Sequence, residues 1–119
     1  NPNNSTALCL LGGILNEQNN PECVTYYEKS LEKNENCYLA YRGLGNFYLK
    51  NQQFDKSEKN YTRAIEINDN RFGPIYKNRG YVRQQQNKME QAKEDFQNYI
   101  KFTPNAKDRG MIERALNEM

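Results

Sequence analysis

Large and small apolar positions recur along this chain at helical spacing. Tyr41, Leu44, Gly45 and Tyr48 stand at i, i+3, i+4 and i+7, which puts them on one face of a helix. The same spacing returns as Leu8, Leu11, Gly12 and Leu15, and again as Tyr76, Arg79, Gly80 and Arg83. Behind each copy, a small residue is followed four positions later by an aromatic: Cys23 and Tyr27, Ser57 and Tyr61, Ala92 and Phe96. Tyr27 to Tyr61 is 34 residues and Tyr61 to Phe96 is 35, so the pattern predicts a tandem repeat. Breaks at Asn19-Asn20-Pro21, Asn51-Gln52-Gln53, 69–74 and Thr103-Pro104-Asn105 leave seven predicted helices, with the others bounded by the periodicity itself. These run over about 5–17, 21–33, 37–50, 54–67, 73–86, 89–102 and 106–118.

The spacing has a packing logic. Gly45 has no Cβ, so a neighbouring helix can approach closely there, while Ser57, Tyr61, Ala64 and Ile65 alternate small and bulky groups on the second helix. A helix-turn-helix unit of this size cannot bury its own apolar face and must stack on the next copy. On these residues the chain resembles the tetratricopeptide repeat family: Tyr41, Leu44, Gly45, Tyr48, Phe54, Ser57, Tyr61 and Ala64 fit its pattern, with Tyr for Trp and Ser for Ala. Copy three keeps Tyr76, Gly80, Met89, Ala92, Phe96 and Pro104 but carries Arg79 and Arg83, whose stems are expected to pack while their heads reach water. Copy one has a shorter linker and Pro21 at the start of its second helix.

The resemblance implies an all-α fold, a right-handed α-solenoid in one domain over 1–119. Its repeats fall at about 5–36, 37–71 and 72–105, and a capping helix at about 106–119 gathers Met111, Ile112, Ala115, Leu116 and Met119 on one side. Asn1-Pro2-Asn3-Asn4 resembles the tail of an earlier repeat, because Pro104 stands at the matching place after copy three, and the expectation is a fragment of a longer chain.

Composition changes the picture in one respect. A mean hydropathy of −1.11 would by itself suggest a marginal core, yet nine Tyr and five Phe at periodic positions supply large buried areas. No apolar run approaches the roughly 20 residues that span a bilayer. The frequent Asn residues read as coding bias, since periodicity persists through them.

Catalysis finds no foothold. His is absent, which removes the commonest general base and metal ligand. Glu90, Glu94 and Asp95 among Lys88 and Lys93 read as a solvated outer face. Gly43-Leu44-Gly45-Asn46 lies inside a helix and so offers no loop of amides to a phosphate. No catalytic, metal or cofactor site is therefore expected. Cys9, Cys23 and Cys37 lack the close pairs of a zinc site, Cys23 reads as a small buried hydrophobe, and the odd count favours a reducing compartment such as the cytoplasm. The sequons at Asn3, Asn4 and Asn60 read as chance matches.

Binding remains. The resemblance implies a concave groove lined by the first helix of each repeat: Arg42, Asn46, Leu49 and Lys50 in copy two, Lys77, Asn78, Tyr81 and Gln85 in copy three, and Thr6, Cys9, Gly13 and Glu17 in copy one. The expected ligand residues are Arg42, Asn46, Lys50, Lys77, Asn78, Tyr81 and Gln85. Such a basic, amide-rich surface suits an acidic peptide or one with a free C-terminal carboxylate. Chaperone-binding members hold that carboxylate at five places; Arg42, Asn46 and Asn78 fall at three, whereas Asp108 and Ile112 at the other two do not fit. The expectation is thus a protein or peptide groove of a general kind. Two alternatives stay open. The repeats serve as a structural spacer or self-associate through the uncapped first copy, or they bind RNA, against which stands a net charge of only +2.

Overall fold

Helices supply all the regular structure among the described residues, 4–69 and 71–119 of a computed structural model. They are α1 (Ser5–Glu17), α2 (Cys23–Lys33), α3 (Tyr38–Lys50), α4 (Phe54–Ile67), α5 (Gly73–Gln85), α6 (Met89–Phe102) and α7 (Arg109–Glu118). Residues 1–3, read above as the tail of an earlier repeat, and Asn70 in the fourth predicted break lie outside the described residues. The chain divides into two compact units, Asn1–Asn68 and Asp69–Met119.

Two helix starts differ from the sequence expectation by more than one residue. Helix α2 begins at Cys23 instead of 21, because Pro21 and Glu22 form a tighter turn in which Cys23 N–H donates to Asn20 O and Val24 N–H to Pro21 O. Helix α7 begins at Arg109 instead of 106, after turns in which Ala106 N–H donates to Thr103 O and Arg109 N–H to Ala106 O. Helix α1 starts where expected, with Asn4 Oδ1 accepting from Ala7 N–H at 2.6 Å as an N-cap.

The first helix of each repeat ends in one shared way. Asn19, Gln52 and Asn87 adopt φ of 58°, 59° and 64°, a left-handed conformation that Asn tolerates better than most residues. The next N–H then reaches back five residues, from Asn20 to Leu15 O, Gln53 to Tyr48 O and Lys88 to Arg83 O, at 2.8, 2.9 and 2.8 Å. Two of the frequent Asn residues thus have a conformational task.

In the first unit the aromatic knobs enter glycine holes. The Tyr27 ring lies between α1 and α3, where an added Cβ on Gly12 would come within 2.9 Å of it and one on Gly43 within 2.3 Å. Tyr61 is fully buried against Gly45, where an added Cβ would stand 2.6 Å away, and Ser57 Oγ donates to Gly45 O at 2.9 Å. Cys9, Cys23, Tyr27, Cys37, Ala40 and Leu44 form the core of α1 to α3.

In the second unit Phe96 packs on Gly80, and Tyr76 meets Phe102 with ring centres 5.3 Å apart. Here two expectations are corrected. Asp95 is fully buried, not on a solvated face, and the heads of Arg79 and Arg83 turn to it instead of to water. Arg79 Nε and Nη2 donate to Oδ2 and Oδ1 at 2.9 and 2.7 Å, and Arg83 Nη1 donates to Oδ2 at 3.0 Å. The reason is geometric: both arginines occupy the inward face of α5, and the Asp95 carboxylate facing them from α6 pairs with both. Helix α7 lies against α6 with Ile112, Ala115 and Leu116 partly buried, while Met111 stays 59 % exposed.

Candidate functional site

Helix geometry sets Arg42, Asn46 and Lys50 one turn apart on a single face of α3. The Arg42 guanidinium lies 5.6 Å from the centre of the Tyr38 ring. Asn46 is partly buried and its Oδ1 accepts from Tyr61 Oη, so the core knob of the repeat also orients this amide. Lys50 is exposed, and its Nζ donates to Asn16 O at 2.7 Å, among the last carbonyls of α1.

Asn16 is a residue that the sequence reading missed. It is buried, its Nδ2 donates to Gly43 O at 3.2 Å, and its Oδ1 has no partner among the described residues. Together with Lys50 it fastens α1 to α3 side by side. The available signal was its register, because Asn16 stands where copy two has apolar Leu49. Of the α1 residues expected in the groove, Thr6 and Glu17 are exposed and Gly13 is partly so. Cys9 is corrected: it is buried in the core, with its Sγ 3.0 Å from Ser30 Oγ.

The second set lies on α5. Lys77, Tyr81 and Gln85 follow one another at single turns, with Asn78 beside Lys77, and Tyr81 is 46 % exposed. Lys77 already has a carboxylate: its Nζ donates to Asp108 Oδ2 at 2.7 Å, and Tyr99 Oη donates to Asp108 Oδ1 at 2.6 Å. These two hydrogen bonds, that of Lys77 first, hold the Asp108 carboxyl below the usual range. An anion arriving at Lys77 competes with Asp108, whereas Lys50 contacts a neutral carbonyl.

The buried phenols of this unit report the same arrangement. Burial, then the hydrogen bond to Asp108 and its charge, push Tyr99 up to about 12, and burial with Asp69 does the same for Tyr76. An ordinary tyrosine titrates near ~10. The folded state therefore favours the neutral phenol, and this contribution to stability is complete below about pH 10 and lost as pH rises toward 12. In an ultraviolet titration, Tyr99→Phe should remove one late-ionising phenolate; loss of an early one instead would contradict the assignment.

No helix among the described residues is long and apolar enough to cross a membrane. No group of three or more Cys, Asp or Glu side chains among them could hold a metal ion.

Family models of the tetratricopeptide repeat match residues 38–71 and 74–105, together more than half of the chain. The chain belongs to the tetratricopeptide repeat family. It is accordingly an all-α, non-catalytic protein–protein interaction module. An uncharacterised protein of Haemophilus influenzae is 29 % identical over 82 residues, which cover 68 % of this chain and 45 % of that protein, so the chain spans less than half of that relative's length. Among solved structures, the first tetratricopeptide domain of Spaghetti (RPAP3), bound to the HSP90 peptide SRMEEVD, is similar with a TM-score of 0.85 at 20 % identity. That match covers 96 % of this chain and 90 % of the other. The Arabidopsis OM64 tetratricopeptide domain gives 0.83 at 21 % identity, covering 96 % and 94 %. YrrB, described as having an unusual peptide-binding site, gives 0.76 at 19 % identity, covering 98 % and 58 %.

Proposed function

We propose that this module binds an acidic peptide segment, with a free C-terminal carboxylate as its preferred end, along α1 and α3 of its first unit. The observation that carries this reading is the row Arg42, Asn46 and Lys50 on α3, where two cations flank an amide beside the α1 edge. Charge-assisted hydrogen bonds from such a row favour carboxylates over neutral groups. The HSP90 peptide held by the RPAP3 domain is a segment of this chemistry. In the second unit, taken by itself, Lys77, Asn78, Tyr81 and Gln85 on α5 are proposed as peptide-contacting residues, of which Lys77 is the weakest because Asp108 already neutralises it.

The test is fluorescence anisotropy with a labelled SRMEEVD peptide, free or amidated at its C-terminus. Wild type should bind the free-acid form more tightly, and added salt should weaken the complex. Arg42→Glu with Lys50→Glu should weaken it at least about tenfold, since each charge-assisted hydrogen bond contributes about 1.5–3 kcal/mol. Equal binding by a variant of unchanged helicity would sink the reading.

Self-association through the first repeat is a second reading, supported by one feature of α1. Leu10, Leu11 and Ile14 are 61, 40 and 54 % exposed. Their counterparts on α3, Gly43, Leu44 and Phe47, are packed against the preceding helix pair. Light scattering across a concentration series decides it: growth in mass that Leu10→Ser with Ile14→Ser suppresses favours it, and a monomer throughout removes it.

A further inference from the structure

Two of the three thiols, 28 residues apart in sequence, meet in the core of the first unit. Cys9 Sγ on α1 lies 3.2 Å from Cys37 Sγ, on the residue that precedes α3. Both side chains are buried and both are free thiols. Ser30 Oγ, from α2, donates to Ser5 O at 2.8 Å and lies 3.0 Å from Cys9 Sγ and 3.5 Å from Cys37 Sγ, so a single hydroxyl touches both thiols. A disulfide needs its sulfurs about 2.0 Å apart. The approach required is on the order of 1 Å.

We propose that Cys9 and Cys37 are an oxidation site that closes to a disulfide and ties α1 to the start of α3. The oxidant class is a hydroperoxide, small enough to reach a buried pair. Cys37 as thiolate attacks one peroxide oxygen; the O–O bond breaks, hydroxide leaves and is protonated to water, and Cys37 becomes a sulfenic acid. Cys9 sulfur then attacks Cys37 sulfur, the S–O bond breaks, and the departing hydroxide takes the Cys9 proton. In balance, two thiols and one hydrogen peroxide give one disulfide and two waters.

The environment distinguishes the two sulfurs. Burial pushes the Cys9 thiol up to about 12. Burial also raises Cys37, but hydrogen bonds from Ser5, Ser30 and Cys9 outweigh it and hold that thiol below its ordinary value. Cys37 is therefore the attacking sulfur and Cys9 the resolving one. Cys23, fully buried at the start of α2, takes no part.

The test uses the reduced wild-type chain, exposed to graded hydrogen peroxide, denatured, and blocked with N-ethylmaleimide before intact-mass and peptide mapping. The expected product has lost two hydrogens, carries one maleimide, on Cys23, and contains a peptide joining Cys9 to Cys37. Dithiothreitol should restore three reactive thiols. Three maleimides after oxidation, a cross-link that includes Cys23, or added oxygens on Cys9 or Cys37 in place of the cross-link would overturn the proposal. Because the readout is mass, it stands or falls independently of peptide binding.

Discussion

Asp95→Ala is expected to lower the unfolding free energy of the second unit by about 3–5 kcal/mol, the largest single-residue effect in this chain. Asp95 is buried, and its carboxylate receives the hydrogen bonds of Arg79 and Arg83, whose side chains are only 12 % and 14 % exposed. Alanine removes the anion and leaves two guanidinium groups partly desolvated beside each other, so both the lost pairing and the repulsion act in one direction. The same physics makes a contrary prediction for the whole cluster. Replacing Asp95, Arg79 and Arg83 together by Leu, Leu and Tyr should be near neutral or stabilising, because the buried anion and both cations that pair with it are removed at once. Urea denaturation of the three forms, followed by circular dichroism, separates the cases. A mild loss in Asp95→Ala would mean that the arginines find water instead.

Gly43→Ala should destabilise the first unit by about 3 kcal/mol, near the upper end for overpacking. An added Cβ there falls 2.3 Å from Tyr27 Cζ and 2.5 Å from its Oη, and the ring cannot back away because Gly12 lies against it from α1. Helix propensity acts the other way but returns only about 0.5–1 kcal/mol. Gly13 provides the control, because its added Cβ would meet only Tyr27 Oη at 4.0 Å. Gly13→Ala should stabilise by about 0.5–1 kcal/mol, since propensity is then unopposed. Tyr27→Leu should relieve much of the Gly43→Ala penalty, giving a coupling energy in a double-mutant cycle. Additive losses would show that the ring and Gly43 do not clash.

Helical periodicity and a 34- to 35-residue repeat place Tyr27, Tyr61 and Phe96 as knobs, and the structure seats them at Gly12 and Gly43, Gly45 and Gly80. Local spacing is sufficient for the Gly12, Gly45 and Gly80 contacts because each lies within its repeat, whereas Tyr27 meets Gly43 across the boundary between two repeats. Asp95 was misread because a charge flanked by Glu94 and Lys93 resembles a solvated face. The overlooked signal was an Arg79 and Arg83 pair on a face that copy two fills with Leu44 and Tyr48, an arrangement that calls for a buried anion. Lys77 with Asp108, and Cys9 with Cys37, are partners 31 and 28 residues apart, and no local spacing announces them. That Arg42, Asn46 and Lys50 share a face of α3 follows from register alone; register also marks Asn16 as polar where copy two has Leu49, but its partners Lys50 and Gly43 come from α3 and show only in the fold.

Chemical-shift mapping tests the central claim most directly. Uniformly 15N-labelled chain would be titrated with the free-acid SRMEEVD peptide and its amide shifts followed residue by residue. The account predicts saturable shifts concentrated at 42–50 on α3 and at the α1 edge from Gly13 to Glu17, reduced when the peptide is amidated. Saturable shifts confined to α2 and α4, or no saturable shifts at all, would contradict recognition of an acidic peptide by the α1 and α3 face.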